Sequence, residues 1–399
     1  MIELFPSKEW CSGCSACEQI CPRQAITMKP DENGFLYPEI DYGKCVECGL
    51  CKGVCDFQRR EDGIRTDSGF KAFAAKSKSF KERKSSQSGG VAAVLASYIL
   101  KQGGVVYGAV FDSEFRVVHE KIHSLDQSFR LKGSKYVQSD LGSVFGEIKR
   151  DLGAGTPVLF TGTPCQVAGL KKFLKNGNHR DLLYTCDIIC HGVPSPKMWL
   201  DYIGYIEHRL KYKVILPNLR DKSEGWLASG HQESFLLANM EKCKYTFYAN
   251  LFYQHFLRPA CGNCKYANLD RCGDITVGDC WGIEKEYPSF NDGDAGVNLV
   301  LVNSLGGQRL FDSVSKSLDV MNIQNENWWI QPNLLRPSTL SPNYDAFWDE
   351  YRKYGFRYVL RKYVFVKQKQ EKIKLFIWNA LKVVRLEKLF QRLYHGFLR

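Results

Sequence analysis

The chain has 399 residues, 44% of them hydrophobic and 25% charged, enough apolar material for two or three globular units and too much for an intrinsically disordered protein. Its formal charge of +12 suggests nucleic acid until it is located: residues 351–399 hold 14 Lys and Arg against 2 Asp and Glu, and residues 1–350 hold 41 of each sign. The basic balance belongs to one terminal segment, so nucleic-acid binding is not expected. The first residues lack a basic stretch leading into an apolar run, and nothing is long and apolar enough to cross a bilayer, so a cytoplasmic protein is expected. Sixteen cysteines in a reducing compartment argue for metal ligation and redox work rather than a disulfide framework.

In chain order, the first element is a repeated run, Cys11-x2-Cys14-x2-Cys17-x3-Cys21-Pro22 and Cys45-x2-Cys48-x2-Cys51-x3-Cys55. This is the bacterial spacing for two 4Fe-4S clusters: three close thiolates take three corners of one cubane, and the fourth reaches across to the other. The expected ligand sets are Cys11, Cys14, Cys17 with Cys55, and Cys45, Cys48, Cys51 with Cys21. Asp56 stands where the first copy has Pro22, and touches no ligand. Zinc and disulfide frameworks rarely interleave two runs of this kind. Between the runs, Asn33-Gly34 separates two short apolar stretches, which predicts a hairpin folding one motif over its mate.

A polar, unpatterned stretch over residues 59–69 reads as a linker. Beyond it, Ser88-Gly89-Gly90 opens a predicted helix over 91–100, followed by a strand over 105–111. The free N–H groups of such a helix start suit a phosphate, and a capped helix with close glycine packing suits it equally. No dinucleotide fingerprint or phosphate-binding loop motif is present. A strand over 157–160 runs into Thr161-Gly-Thr-Pro-Cys-Gln166 and a helix; there the dipole is expected to lower the Cys165 thiol pKa, making it reactive or ligating, with a merely buried cysteine as the alternative. A strand over 182–189 leads to Cys190-His191, and His191 is placed to donate a proton or bond a cofactor. Ser195-Pro196 then caps a helix to about residue 210. Strands alternating with helices indicate an α/β or mixed α+β core.

Cys261-x2-Cys264-x7-Cys272 supplies three ligands of a further metal site, iron-sulfur or zinc; Cys190 is the expected fourth, with Cys165, Cys186 and Cys280 competing. In the basic tail, Ile373, Phe376, Ile377, Leu381, Val384 and Phe390 recur at helical spacing opposite lysines and arginines, a basic amphipathic helix that either packs on protein or lies on an anionic membrane face.

Six ordered segments carry a resemblance: Ser86 to Gly90, Lys132 to Gln138, Thr161 to Leu170, Cys190 to Ser195, Arg220 to Lys222 with Gly225-Trp226, and Cys261 to Gly282. Together with the cysteine runs they make residues 1 to about 340 similar to the family of coenzyme F-420 hydrogenase/dehydrogenase β-subunits. The resemblance implies FAD in the central domain and a third 4Fe-4S cluster beside it. It implies that Ser88, Gly89 and Gly90 hold the FAD phosphates with Lys135 and Gln138 nearby, and that Thr161, Gly162, Thr163, Pro164, Cys165 and Gln166 line the ring, Cys165 and His191 being the catalytic pair. The implied architecture is α+β: a two-cluster ferredoxin domain (1–58), a mixed α/β flavin-binding domain (70–345) and a basic amphipathic tail (346–399). The implied activity is an iron-sulfur flavoprotein oxidoreductase exchanging electrons between a small-molecule hydride donor or acceptor and a soluble ferredoxin or other redox partner. Its alternatives are a non-catalytic electron-delivery subunit and an accessory protein of polysaccharide biosynthesis. The location expected is the cytoplasm, with peripheral contact at the inner face of the membrane through the tail.

Overall fold

The computed structural model describes residues 2–59, 69–175, 181–228 and 231–366, in two units, Met1–Pro342 and Asn343–Arg399. In the first unit, β1 (Ile26–Pro30) and β2 (Leu36–Ile40) pair antiparallel, Ile26 opposite Ile40. Gly34 turns the chain between them at a φ of +84°, and a Cβ there would lie 2.3 Å from Lys197 Cβ. The hairpin tip thus presses on the start of the helix Pro196–Leu210, where the Ser195 hydroxyl donates to the Asn33 carbonyl. Only glycine meets both demands.

The chain continues through β3 (Lys71–Ser77), β4 (Val105–Phe111), β5 (Val117–Ile122), β6 (Val158–Gly162), β7 (Leu183–Ile188), β8 (Val214–Asn218), β9 (Glu233–Leu237), β10 (Lys242–Tyr245), β11 (Ile275–Asp279), β12 (Asn298–Val302) and β13 (Leu318–Asn322). Strands β8 to β10 form a small antiparallel sheet; the others form one sheet in the order β13-β3-β12-β11-β7-β6-β4-β5. The run β4-β6-β7-β11 is parallel and the flanking pairs are antiparallel. Every residue of β12 is buried, as its unbroken Leu-Val-Leu-Val requires of a strand covered on both faces. The helix Val91–Lys101 lays Val91, Leu95 and Ile99 onto this sheet; burying each contributes about 1.5–3 kcal/mol. β3, β4, β6, β7 and β11 all point the same way, so the loops after β3, β6, β7 and β11 collect at one edge of the sheet, the edge where open α/β sheets bind ligands.

Strands β9 and β10 form a hairpin stabilised by a buried carboxyl that gives no periodic signal in the sequence. Glu233 accepts from the Tyr202 hydroxyl at 2.8 Å and from the Ala249 N–H at 2.6 Å, and burial raises its pKa to about 7. The folded state therefore holds a proton between about pH 4.5 and 7 that the unfolded chain has lost, so stability is highest below that window and falls as pH rises through it. The fall is about 3 kcal/mol at one pKa unit per 1.36 kcal/mol. Wild type and Glu233→Gln compared by urea midpoint at pH 5 and pH 8 should show the variant gaining relative to wild type at the higher pH.

In the second unit the helices Tyr344–Tyr354 and Phe356–Leu360 and a π-helical turn, Arg361–Val366, are joined at Gly355, with the Phe347 ring packed edge-on against Trp348 and Tyr363. The amphipathic pattern of residues 373–390 and most of the linker at 59–69 lie outside the described residues. Among the described residues no helix is long and apolar enough to cross a membrane.

Candidate functional site: three groups of thiols

The two cysteine runs repeat in backbone as well as in sequence. The second residue after Cys11 and after Cys45, Gly13 and Glu47, has a positive φ, and so has the fourth, Ser15 and Gly49. Each left-handed pair curls its loop, and a short helix, Ala16–Gln19 or Leu50–Val54, follows. Holding Ser15 and Glu47 there costs about 1–2 kcal/mol each, which the loop alone does not offset. Cys11, Cys14, Cys17 and Cys55 stand close enough to repel one another as thiolates; burial first and this repulsion second raise Cys14 to about 12. Cys21, Cys45, Cys48 and Cys51 line a separate cavity with Ile26 and Ile40. The crossed sets expected from the spacing are thus the sets brought together. Backbone and side-chain N–H groups point at the sulfurs: Ala25 N at Cys21, 3.3 Å, and Gln58 Nε2 at Cys55, 3.5 Å.

A third group forms at the edge of the large sheet. Cys190 leaves β7, Cys261 and Cys264 flank the turn after Pro259, and Cys165 starts the helix Pro164–Phe173. Cys190 is electrostatically coupled to Cys261, Cys165 and Cys264, and Cys261 to Cys264 and Cys165. Gly192, at a φ of +102°, lets the chain pass Cys261, whose Cβ would sit 3.1 Å from an added side chain. Its N–H donates to the Cys190 sulfur, and that of Val193 to Cys261, each at 3.4 Å.

One expectation changes here. The Cys165 thiol is raised, not lowered: burial outweighs the helix start, the Thr163 hydroxyl at 3.2 Å and the Arg258 guanidinium. Cys272, expected as a ligand, packs with Cys165 and Cys264 against Phe57, Ala168, Ala260 and Tyr266. Cys186 and Cys280 belong to the apolar core. Among the described residues no three His, Cys, Asp or Glu side chains are grouped tightly enough for one metal ion.

The residues expected around a flavin are turned to internal partners. Ser88 donates to the Val297 carbonyl at 2.7 Å, the Val91 N–H is capped by Asn298 Oδ1 at 3.1 Å, and a Cβ on Gly89 would lie 2.6 Å from the Ala75 carbonyl. Gly89 thus serves close strand packing, and Gly90 turns the chain into the helix at a φ of +84°. The Lys135 ammonium is folded onto the carbonyls of Arg130 and Lys132, each at 2.9 Å, and burial lowers its pKa to about 7. Gln138 faces the ferredoxin module, its carbonyl accepting from Leu36 N at 3.2 Å and Arg258 Nη1 at 3.1 Å. Gln166 closes a capping box on Thr163 at 3.0 Å and donates to Ser139 at 2.8 Å, with Pro164 as the first helical residue. Thr161 donates to the Tyr107 carbonyl at 3.3 Å, and an added Cβ on its neighbour Gly162 would meet Gln166 Oε1 at 3.0 Å.

Family models match in two places: the 4Fe-4S dicluster domain over residues 10–58, and the C terminus of the coenzyme F420 hydrogenase/dehydrogenase beta subunit over residues 155–326. The chain belongs to the family of coenzyme F-420 hydrogenase/dehydrogenase β-subunits. It is similar to one of the subunits of the F(420)H(2) dehydrogenase of Methanosarcina mazei, 21% identical over 78% of this chain and 84% of that protein. Its front is similar to an uncharacterized ferredoxin of Methanocaldococcus jannaschii, 34% identical over 14% of this chain and 69% of that one. A chain of the F420-reducing [NiFe] hydrogenase complex from Methanosarcina barkeri aligns at a TM-score of 0.45 and 18% identity, covering 78% of this chain and 96% of that one. This member of the family is an iron-sulfur electron-transfer protein.

Around His191 this family member has a buried polar group that no local motif marks. Arg220 pairs with Asp279 at 2.7 Å and lies over the Trp281 ring, which stacks on Trp226 at 4.9 Å; Trp226 Nε1 donates to Asp279 at 2.8 Å. His191 and His231 both have lowered pKa values, His231 to about 4, chiefly from burial with Arg220 contributing. Arg220, Trp226, Asp279 and Trp281 all lie within segments that carried the resemblance, and their spacing over some sixty positions is what hid the group.

Gly169 makes the joint between two thiol groups. An added Cβ would sit 3.0 Å from the Cys14 sulfur, so Gly169→Val should push the ferredoxin module off the helix. Iron quantification should show that variant losing the cluster of the Cys14 set.

Proposed function

We propose that this protein carries single electrons along three 4Fe-4S clusters to a hydride-exchanging site at the edge of the large sheet. The ligand sets proposed are Cys21, Cys45, Cys48, Cys51; then Cys11, Cys14, Cys17, Cys55; then Cys165, Cys190, Cys261, Cys264. The observation that carries this is the adjacency of the last two: Cys14 is coupled to Cys165 and packs on the helix that Cys165 begins. At the other end Cys48 is exposed, with exposed Val46 and Leu50 beside it, which suits a soluble ferredoxin or a partner protein. The relative named as part of a dehydrogenase favours a partner held in the same complex.

FAD fits this reading at the edge between Thr161 and Ser88, four strand spacings or about 19 Å apart. There Arg220, with Tyr136 hydrogen-bonded to it, and His191 and His231 would hold it. Bound there, FAD would exchange a hydride with a small-molecule carrier and single electrons with iron. Anaerobic purification with iron, sulfide and flavin quantification tests the whole: about twelve irons and one flavin are expected. Protein with eight irons and no flavin would reduce it to a two-cluster ferredoxin on an unrelated body. Lys135→Met should leave flavin content unchanged.

A further inference from the structure

Arg258 is fully buried, yet among the described residues no carboxylate pairs with it. Its Nε donates to the Cys11 carbonyl at 2.7 Å, Nη1 to the Leu36 carbonyl at 3.0 Å and to Gln138 Oε1 at 3.1 Å, and Nη2 to the Cys11 sulfur at 3.5 Å. The guanidinium lies over the Tyr37 ring, 4.0 Å from its centroid. Its own backbone is tied to the third thiol group: Arg258 N donates to the Val193 carbonyl, and Cys261 N to the Arg258 carbonyl, each at 2.9 Å. Gly13, at a φ of +70°, is what admits the side chain under the Cys11 loop; a Cβ there would stand 2.8 Å from Arg258 Nη1.

A buried cation held only by neutral acceptors is costly unless a negative charge lies near it. The negative charge on offer is thiolate-held iron on two sides: Cys11 accepts from the guanidinium directly, and Arg258 acts electrostatically on both Cys165 and Cys261. Each cubane gains one unit of negative charge when it takes up an electron, and net charge and hydrogen bonds to the sulfurs set its potential. We propose that Arg258 is the shared counter-cation of the Cys11 cluster and the Cys165 cluster, a positioning residue that raises their reduction potentials and keeps the electron at the junction between module and body. This rests on the cluster assignment given above.

The test is an EPR-monitored redox titration of the anaerobically purified full chain. Arg258→Met should shift the one-electron equilibrium of the Cys11 cluster toward the oxidised form at least tenfold, a fall of 59 mV or more. Gln138→Glu, nearly isosteric, places a carboxylate on the same guanidinium and should lower the potential in the same direction with iron content unchanged. It decides the matter should Arg258→Met lose iron. Unchanged midpoints in an iron-replete Gln138→Glu protein overturn the proposal. Wild-type protein lacking cluster signals would instead overturn the cluster assignment itself.

Discussion

Cys165→Ser should remove one cubane of three, lowering the iron content by about a third, while Cys272→Ser should leave it intact. The contrast separates two readings of the same stretch of sequence. Cys165 is coupled to Cys190, Cys261 and Cys264, and Cys272 packs on the same apolar group as Cys165 and Cys264. Loss of that cluster also breaks the path from Cys14 into the body, so reduction of the ferredoxin clusters from a donor at the sheet edge should stop even though those clusters remain. Full iron in Cys165→Ser with loss in Cys272→Ser would remove Cys165 from the ligand set.

Arg220→Met should be the most destabilising single change outside the thiols. Removing one partner of a buried pair strands the other, which costs about 3–5 kcal/mol. Here the Arg220 side chain is 2% exposed and Asp279 16%, and Trp281 loses the cation over its ring as well. Asp279→Asn should be milder, because an amide still accepts from Trp226 and no carboxylate is left uncompensated, although the arginine is. Denaturant midpoints followed by tryptophan emission report both, since Trp226 and Trp281 are stacked at the site itself. Flavin retention should fall with Arg220→Met.

The contrast between the glycine loop and the ferredoxin loops shows what kind of information a sequence holds. Cys11 to Cys21 and Cys45 to Cys55 specify their site locally: the spacing predicts which thiols share a cubane and which crosses over, and the positive φ values recur at matching positions. Ser88-Gly89-Gly90 offers two physical uses of the same residues, anion binding or close packing, and the choice depends on Asn298 and Ala75, far away in the chain. The resemblance puts Gln138 near a cofactor's phosphates; that its amide bonds Leu36 and Arg258 depends on how the module docks.

By itself the sequence determined the paired cysteine runs, the hairpin between them, the Ser195-capped helix and the strands β4, β6 and β7, because these rest on spacing, periodicity and capping over a few residues; the family came from six ordered segments taken together. Only the tertiary structure decided that Cys165 stands with Cys190, Cys261 and Cys264, that Arg220 and Asp279 meet, and that Arg258 lies between two thiol groups. Those three depend on which strands are neighbours in the sheet and in which register, and a strand pairing is a contact between distant segments whose partner no local pattern names.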